Sequence, residues 1–143
     1  MITMQLENLT QVLACELTPL TQMNHRAAIP GMELELDWWA LVKMPMLKLW
    51  VMRSRGQAVG YCAHAVMRHV FTGQRQATCM AIYVMPVYAG SVAQFIREIE
   101  VWLVADGVTS ISYSVPHGSR ASCFFERAGY DCSELVMTKR CGS

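Results

Sequence analysis

From Met80 to Ala105 the chain reads M-A-I-Y-V-M-P-V-Y-A-G-S-V-A-Q-F-I-R-E-I-E-V-W-L-V-A, and the order of these residues decides the fold. An apolar run rich in strand formers stops at Pro86, and a short turn carries Tyr88 and Gly90. A helix follows from about Ser91, with Val92, Phe95, Ile96, Ile99, Trp102 and Leu103 spaced to form one apolar face. A strand that runs straight into a helix places the helix's unpaired N–H groups beside the strand end. Those donors and the helix dipole both favour a bound anion such as a phosphate.

Working outward, Asp106-Gly107 ends the helix, with glycine supplying a left-handed cap. Residues 108–115 then alternate, with Thr109, Ile111, Tyr113 and Val115 on one face and Ser110, Ser112 and Ser114 on the other. Strand, helix and strand in this order predict a right-handed parallel β-α-β unit. Upstream, residues 47–53, 58–71 and 76–85 read as three strands joined by turns at 54–57 and 72–74, an antiparallel meander. Downstream, residues 119–128 form a short helix closed by Gly129, and residues 130–140 a closing strand. Residues 6–28 carry helical periodicity with an expected break at Thr18-Pro19. Pro30-Gly31 ends that region, and Asp37 is placed to cap a short helix through Trp38, Trp39 and Leu41.

The chain's 143 residues form one expected domain, 1–143, without repeat or linker. Twelve basic and eleven acidic residues leave no net field for nucleic acid or an acidic membrane surface. No apolar run is long enough to span a bilayer, and the N-terminal residues lack a signal-peptide pattern, so the expected location is the cytoplasm. Apolar residues make up 53% and charged residues 16%, which favours an apolar contact with another copy or a protein partner. The six cysteines show no C-x-x-C pair, so they are expected as reduced thiols, with no metal. Cys62, Cys79 and Cys123 lie in apolar patterns, where a thiol acts as a small hydrophobe. His64 and His69 fall on opposite strand faces by spacing, which argues against a shared metal site.

Three segments carry a family resemblance: Val59-Gly60-Tyr61, Ile82-Tyr83-Val84-Met85-Pro86-Val87-Tyr88, and Phe124-Phe125-Glu126-Arg127-Ala128-Gly129-Tyr130. Their sequence and spacing resemble the GNAT superfamily of acyl-CoA-dependent N-acyltransferases, and Val66 to Phe71, with Arg68-His69, also resembles small divergent bacteriophage-encoded members. The resemblance implies an α/β (α+β) fold with a mixed, mostly antiparallel sheet flanked by helices, containing a splayed parallel strand pair. It implies acetyl-CoA as co-substrate and a small or protein-borne amine as acceptor, acetylated by direct attack. The pantetheine arm would lie along Tyr83, Val84 and Met85, with a backbone N–H near Val84 polarising the thioester carbonyl. The pyrophosphate would meet Tyr88, Gly90, Ser91, Val92 and Ala93. His117, after Pro116 at the open end of the wedge, is the candidate proton-transfer residue. For a phage-encoded member the location becomes the host cytoplasm or the virion.

The sequence departs from that family where phosphate chemistry is concentrated. Ala89, Val92 and Gln94 stand where the family carries a cation and two small residues, and Phe125 stands where a general-acid tyrosine is common. Val92 also disfavours any positive φ there. No carboxylate lies between Gln76 and Met85 to act as base. Two readings therefore stand side by side: an N-acetyltransferase, and a catalytically inactive protein of the same fold serving as a binding or structural subunit. Trp38, Trp39 and Trp50 are read as packing or an acceptor pocket, and Ser110, Ser112 and Ser114 as a solvated face or ligand contacts.

Overall fold

The computed structural model describes residues 1–28, 43–115, 118–134, 137–139 and 141–142. They fall into two compact units, Met1–Tyr113 and Ser114–Ser143. The first holds a five-stranded sheet in the order β1-β2-β3-β4-β5, with β1 Ile2–Glu7, β2 Leu47–Ser54, β3 Gln57–Arg68, β4 Arg75–Val84 and β5 Ser110–Ser112. The first three pairings are antiparallel and the last is parallel. Helices α1 (Gln11–Ala28) and α2 (Val92–Ala105) pack on opposite faces of this sheet. No helix among the described residues is long and apolar enough to cross a membrane.

The sheet is covered on both sides because its strands alternate two apolar sets. In β2, Leu49 and Val51 join Leu13, Leu17 and Leu20 of α1. Trp50 and Met52 point the other way and join Phe95, Ile99 and Leu103 of α2. Trp50 and Trp102 meet edge to face at 5.5 Å.

α2 ends in a Schellman motif: Val108 N–H bonds Leu103 O, Gly107 N–H bonds Val104 O, and Gly107 sits at φ +85°. Val108 is buried as the motif's apolar partner. That use of Val108 explains why β5 starts after it; the strand spans only Ser110–Ser112 rather than the expected 108–115. The expected alternation survives, since Ile111 and Tyr113 pack toward α2 while Ser110 and Ser112 are exposed.

Upstream, one strand is additional to the expected elements and one expectation is corrected. Residues 2–7 form a strand, β1, whose apolar Ile2 and Met4 pack toward α2. The alternation I-T-M-Q-L-E was legible but short. Nor does Thr18-Pro19 break α1, which runs through it as one helix. Pro19 is exposed, so the Cys15 carbonyl that loses its donor faces water, while Leu13, Ala14, Leu17 and Leu20 hold the inner face. Thr18 Oγ1 and Thr21 Oγ1 donate to Ala14 O and Leu17 O on either side.

The second unit contains α3 (Arg120–Arg127), capped by Ser119 Oγ accepting from Ser122 N–H and closed by Gly129 at φ +93°. Phe125 packs edge to face on Phe124 and Tyr130. The expected strand over 130–140 is absent among the described residues. Asp131, Cys132, Ser133 and Glu134 are all exposed, and only Tyr130 brings apolar surface to the α3 side. The short helix expected around Trp38 and Trp39 lies outside the described residues.

Candidate functional site

The parallel pair β4–β5 stops early. Its register runs Gln76↔Ser110, Ala77↔Ile111 and Thr78↔Ser112, yet β4 continues to Val84. From Cys79 onward the outer edge of β4 has no strand partner among the described residues, so the sheet opens there as a wedge. The other edge of β4 stays paired with β3 as far as Gly60↔Val84, and Met85 N–H donates to Val59 O at 2.9 Å. Successive N–H groups of a strand point to opposite edges, so the Val84 N–H faces the open side.

Gly60 permits this arrangement. A Cβ there would lie 3.0 Å from both Tyr83 O and Val84 Cγ2, so a larger residue would require β4 to give way by a few tenths of an ångström. Of the candidate residues, Tyr83 turns toward α1 and Val84 toward α2. Met85 packs against both clusters.

The turn after β4 is a 3-10 helix, Pro86–Ser91, leading directly into α2. Tyr88 N–H bonds Met85 O, and Val92 N–H bonds Ala89 O. Part of the donor set at this helix start is therefore already used. Ser91 makes no side-chain cap. Val92 sits at φ −61°, ψ −43°, and no residue of the turn has positive φ, so the valine causes no strain there. Gly90 is open: nothing lies within 4 Å of the position its Cβ would take. Tyr88 packs against the α2 cluster, while Ala93 is exposed in the first turn of α2. His117 lies outside the described residues, and Phe125 belongs to the second unit.

The structure also assembles a group that spacing alone did not reveal. Cys62 Sγ, Cys79 Sγ and a ring nitrogen of His64 lie within 4.8 Å of one another. His64 is fully buried, its Nε2 is 3.1 Å from Tyr113 Oη, and its Nδ1 has no hydrogen-bond partner among the described residues. Burial lowers the His64 pKa to about 4, so the ring is neutral at physiological pH. Burial also pushes the Cys62 thiol up, aided by its Cys79 neighbour. Cys62-x-His64 placed both on one strand face, a readable signal. Cys79 joins them only because of a bulge: Ala63 pairs Ala81 and His64 pairs Cys79, leaving Met80 as the extra residue. His69 ends up in the β3–β4 turn, where Nδ1 accepts from Phe71 and Thr72 N–H.

A cavity of about 310 Å³ lies elsewhere, between β1 and α2, lined by Met4, Leu6, Trp50, Phe95, Val101 and Trp102, and includes none of the wedge residues.

No protein-family model matches the chain, and no curated protein matches its sequence. Solved structures do match its fold. It is similar to a ribosomal-protein-alanine N-acetyltransferase from Brucella melitensis, with 16% identity, a TM-score of 0.76, and coverage of 99% of this chain and 100% of that one. It is also similar to an aminoglycoside acetyltransferase from an uncultured soil metagenomic sample, in complex with sisomicin, at 11% identity and TM-score 0.75, covering 99% and 95%. A third is the aminoglycoside N-acetyltransferase AAC(6')-Iy in complex with CoA, at 15% identity and TM-score 0.70, covering 99% and 100%. The chain has the GNAT fold.

Proposed function

We propose that this chain is an N-acetyltransferase that moves an acetyl group from acetyl-CoA to an amine. The observation that carries the reading is the wedge, where β4 runs on past its last parallel partner with the Val84 N–H turned outward. An extended pantetheine arm fits such an edge as an added strand. The turn at Gly90 and the start of α2 face the pyrophosphate less fully equipped, since no cation is in the turn and Val92 N–H is already bonded.

The thioester supplies an activated carbonyl. The chain's own part is to hold that carbonyl beside the Val84 N–H, which stabilises the negative oxygen as the amine nitrogen attacks. The carbon–sulfur bond then breaks, the thiolate leaves and takes up a proton, and the attacking nitrogen loses one. His117 is the side chain we assign to that proton transfer, at a small or protein-borne amine.

A second reading is a non-catalytic binding or structural subunit, which an apolar surface joins to another copy or to a protein partner, including in a bacteriophage assembly. Val101 and Val104, exposed on α2, favour it.

Thermal-shift titration with acetyl-CoA separates the two. A ligand at a hundred times its dissociation constant stabilises the native state by about 2.7 kcal/mol. An upward shift is expected, and none at millimolar acetyl-CoA rejects the enzyme. Because Gly90 has open space around it, Gly90→Leu should leave the unliganded melting temperature nearly unchanged and remove most of the ligand shift. An intact shift would mean that the phosphates bind elsewhere.

A further inference from the structure

Cys79 and Tyr113 are each the first residue beyond the last parallel pair, Thr78↔Ser112. The Cys62–His64–Cys79 group therefore sits at the apex of the wedge, where β4 and β5 part. We propose that this group is a zinc site, with Cys62, Cys79 and His64 as ligands and the fourth position open to the Tyr113 hydroxyl.

Geometry favours the ion over a disulfide. Cys62 faces Ile82 across the ladder and Cys79 faces His64, so the two cysteines are diagonal neighbours. Diagonal positions are about 7–8 Å apart at Cα, beyond the ~7 Å limit for a disulfide. Their sulfurs stand 4.0 Å apart. Two thiolates on a tetrahedral zinc, with zinc–sulfur bonds of about 2.3 Å, are separated by about 3.8 Å. A small inward movement of the imidazole completes the set.

Chemistry points the same way. Two thiolates cancel the charge of Zn²⁺, and a neutral imidazole adds none, so the loaded site is neutral and compatible with burial. Binding releases the thiol protons to solvent, so uptake strengthens as pH rises. Trp50 and Tyr113 pack edge to face on the His64 ring, at 5.5 and 5.0 Å, and limit its rotation. The bound ion would join β3, β4 and the end of β5 at the point where the β4–β5 pairing stops. This inference does not depend on the wedge accepting a thioester.

The test adds Zn²⁺ alone to the reduced full chain, followed by desalting and elemental analysis. One zinc per chain and a higher melting temperature are expected. Cys79→Ser should lose the ion, whereas the combined change of Cys15, Cys123, Cys132 and Cys141 to serine should keep it. Cobalt(II) on the unaltered chain needs no variant to fold, and thiolate charge-transfer absorption with a tetrahedral visible spectrum is the expected signature. Sub-stoichiometric zinc, retention by Cys79→Ser, an octahedral cobalt spectrum, or uptake of Cu⁺ without Zn²⁺ would each overturn the assignment.

Discussion

Gly60 and Val84 face each other across β3 and β4 so closely that a methyl group fits only if β4 shifts. The contact is a backbone matter, because the atoms in the way include the Tyr83 carbonyl oxygen and the Val84 Cα. Gly60→Ala should therefore push the end of β4 outward and destabilise the fold by about 1–3 kcal/mol. It should also weaken acetyl-CoA binding, since the displaced segment carries the Val84 N–H. Denaturant midpoints and the ligand-induced melting shift check both; unchanged values would show that β4 yields without consequence. Val92 teaches the complementary lesson. The sequence marks it as an obstacle to a phosphate loop, yet its backbone is plain right-handed helix and the loop needs no glycine-like conformation at that position.

Elements are held to one another by a single guanidinium at the β1 side of the sheet. Arg53 of β2 donates to both carboxylate oxygens of Glu7 in β1 at 2.9 Å, and to Glu16 of α1 at 2.7 and 2.9 Å. The Arg53 hydrogen bond holds the Glu16 carboxyl below its ordinary value of 4.5. The unfolded chain thus binds this proton more readily than the native one. The contribution is present above the ordinary pKa and is lost as pH falls through the lower folded value. Arg53→Met should cost roughly 2 kcal/mol near neutrality by leaving two carboxylates facing each other. It should also flatten the loss of stability as pH falls below the ordinary carboxyl value of 4.5. Urea unfolding across that range measures both, and parallel curves for the two proteins would exclude the linkage. The same scale explains why α1 survives Pro19: one missing donor on a solvent face is outweighed by a continuous buried stripe.

At the scale of the whole molecule, the wedge predicts a pattern of amide protection. Met85 N–H is bonded to β3, and by strand alternation so is Tyr83 N–H, while Ile82 and Val84 point to the open edge. Acetyl-CoA should slow hydrogen exchange at Ile82 and Val84 far more than at Tyr83 and Met85. Equal protection at all four would show general stabilisation instead of an added strand. Much of this architecture was legible locally. The meander of β2, β3 and β4, helix α2 with its Gly107 cap, and helix α3 with Gly129 all follow from alternation, helical spacing and glycine at the caps. Residues 130–134 were misjudged because a strand needs a partner edge, and no local pattern states whether one exists. The sequence by itself determined which residues are apolar, where turns fall, and that a strand feeds a helix at Pro86. Only the tertiary structure decided where the parallel pair stops and that Met80 is bulged out, so that Cys79 turns to Cys62 and His64. The reason is that a one-residue shift in pairing reverses every face beyond it, and pairing is set by contacts between distant segments rather than by neighbours along the chain.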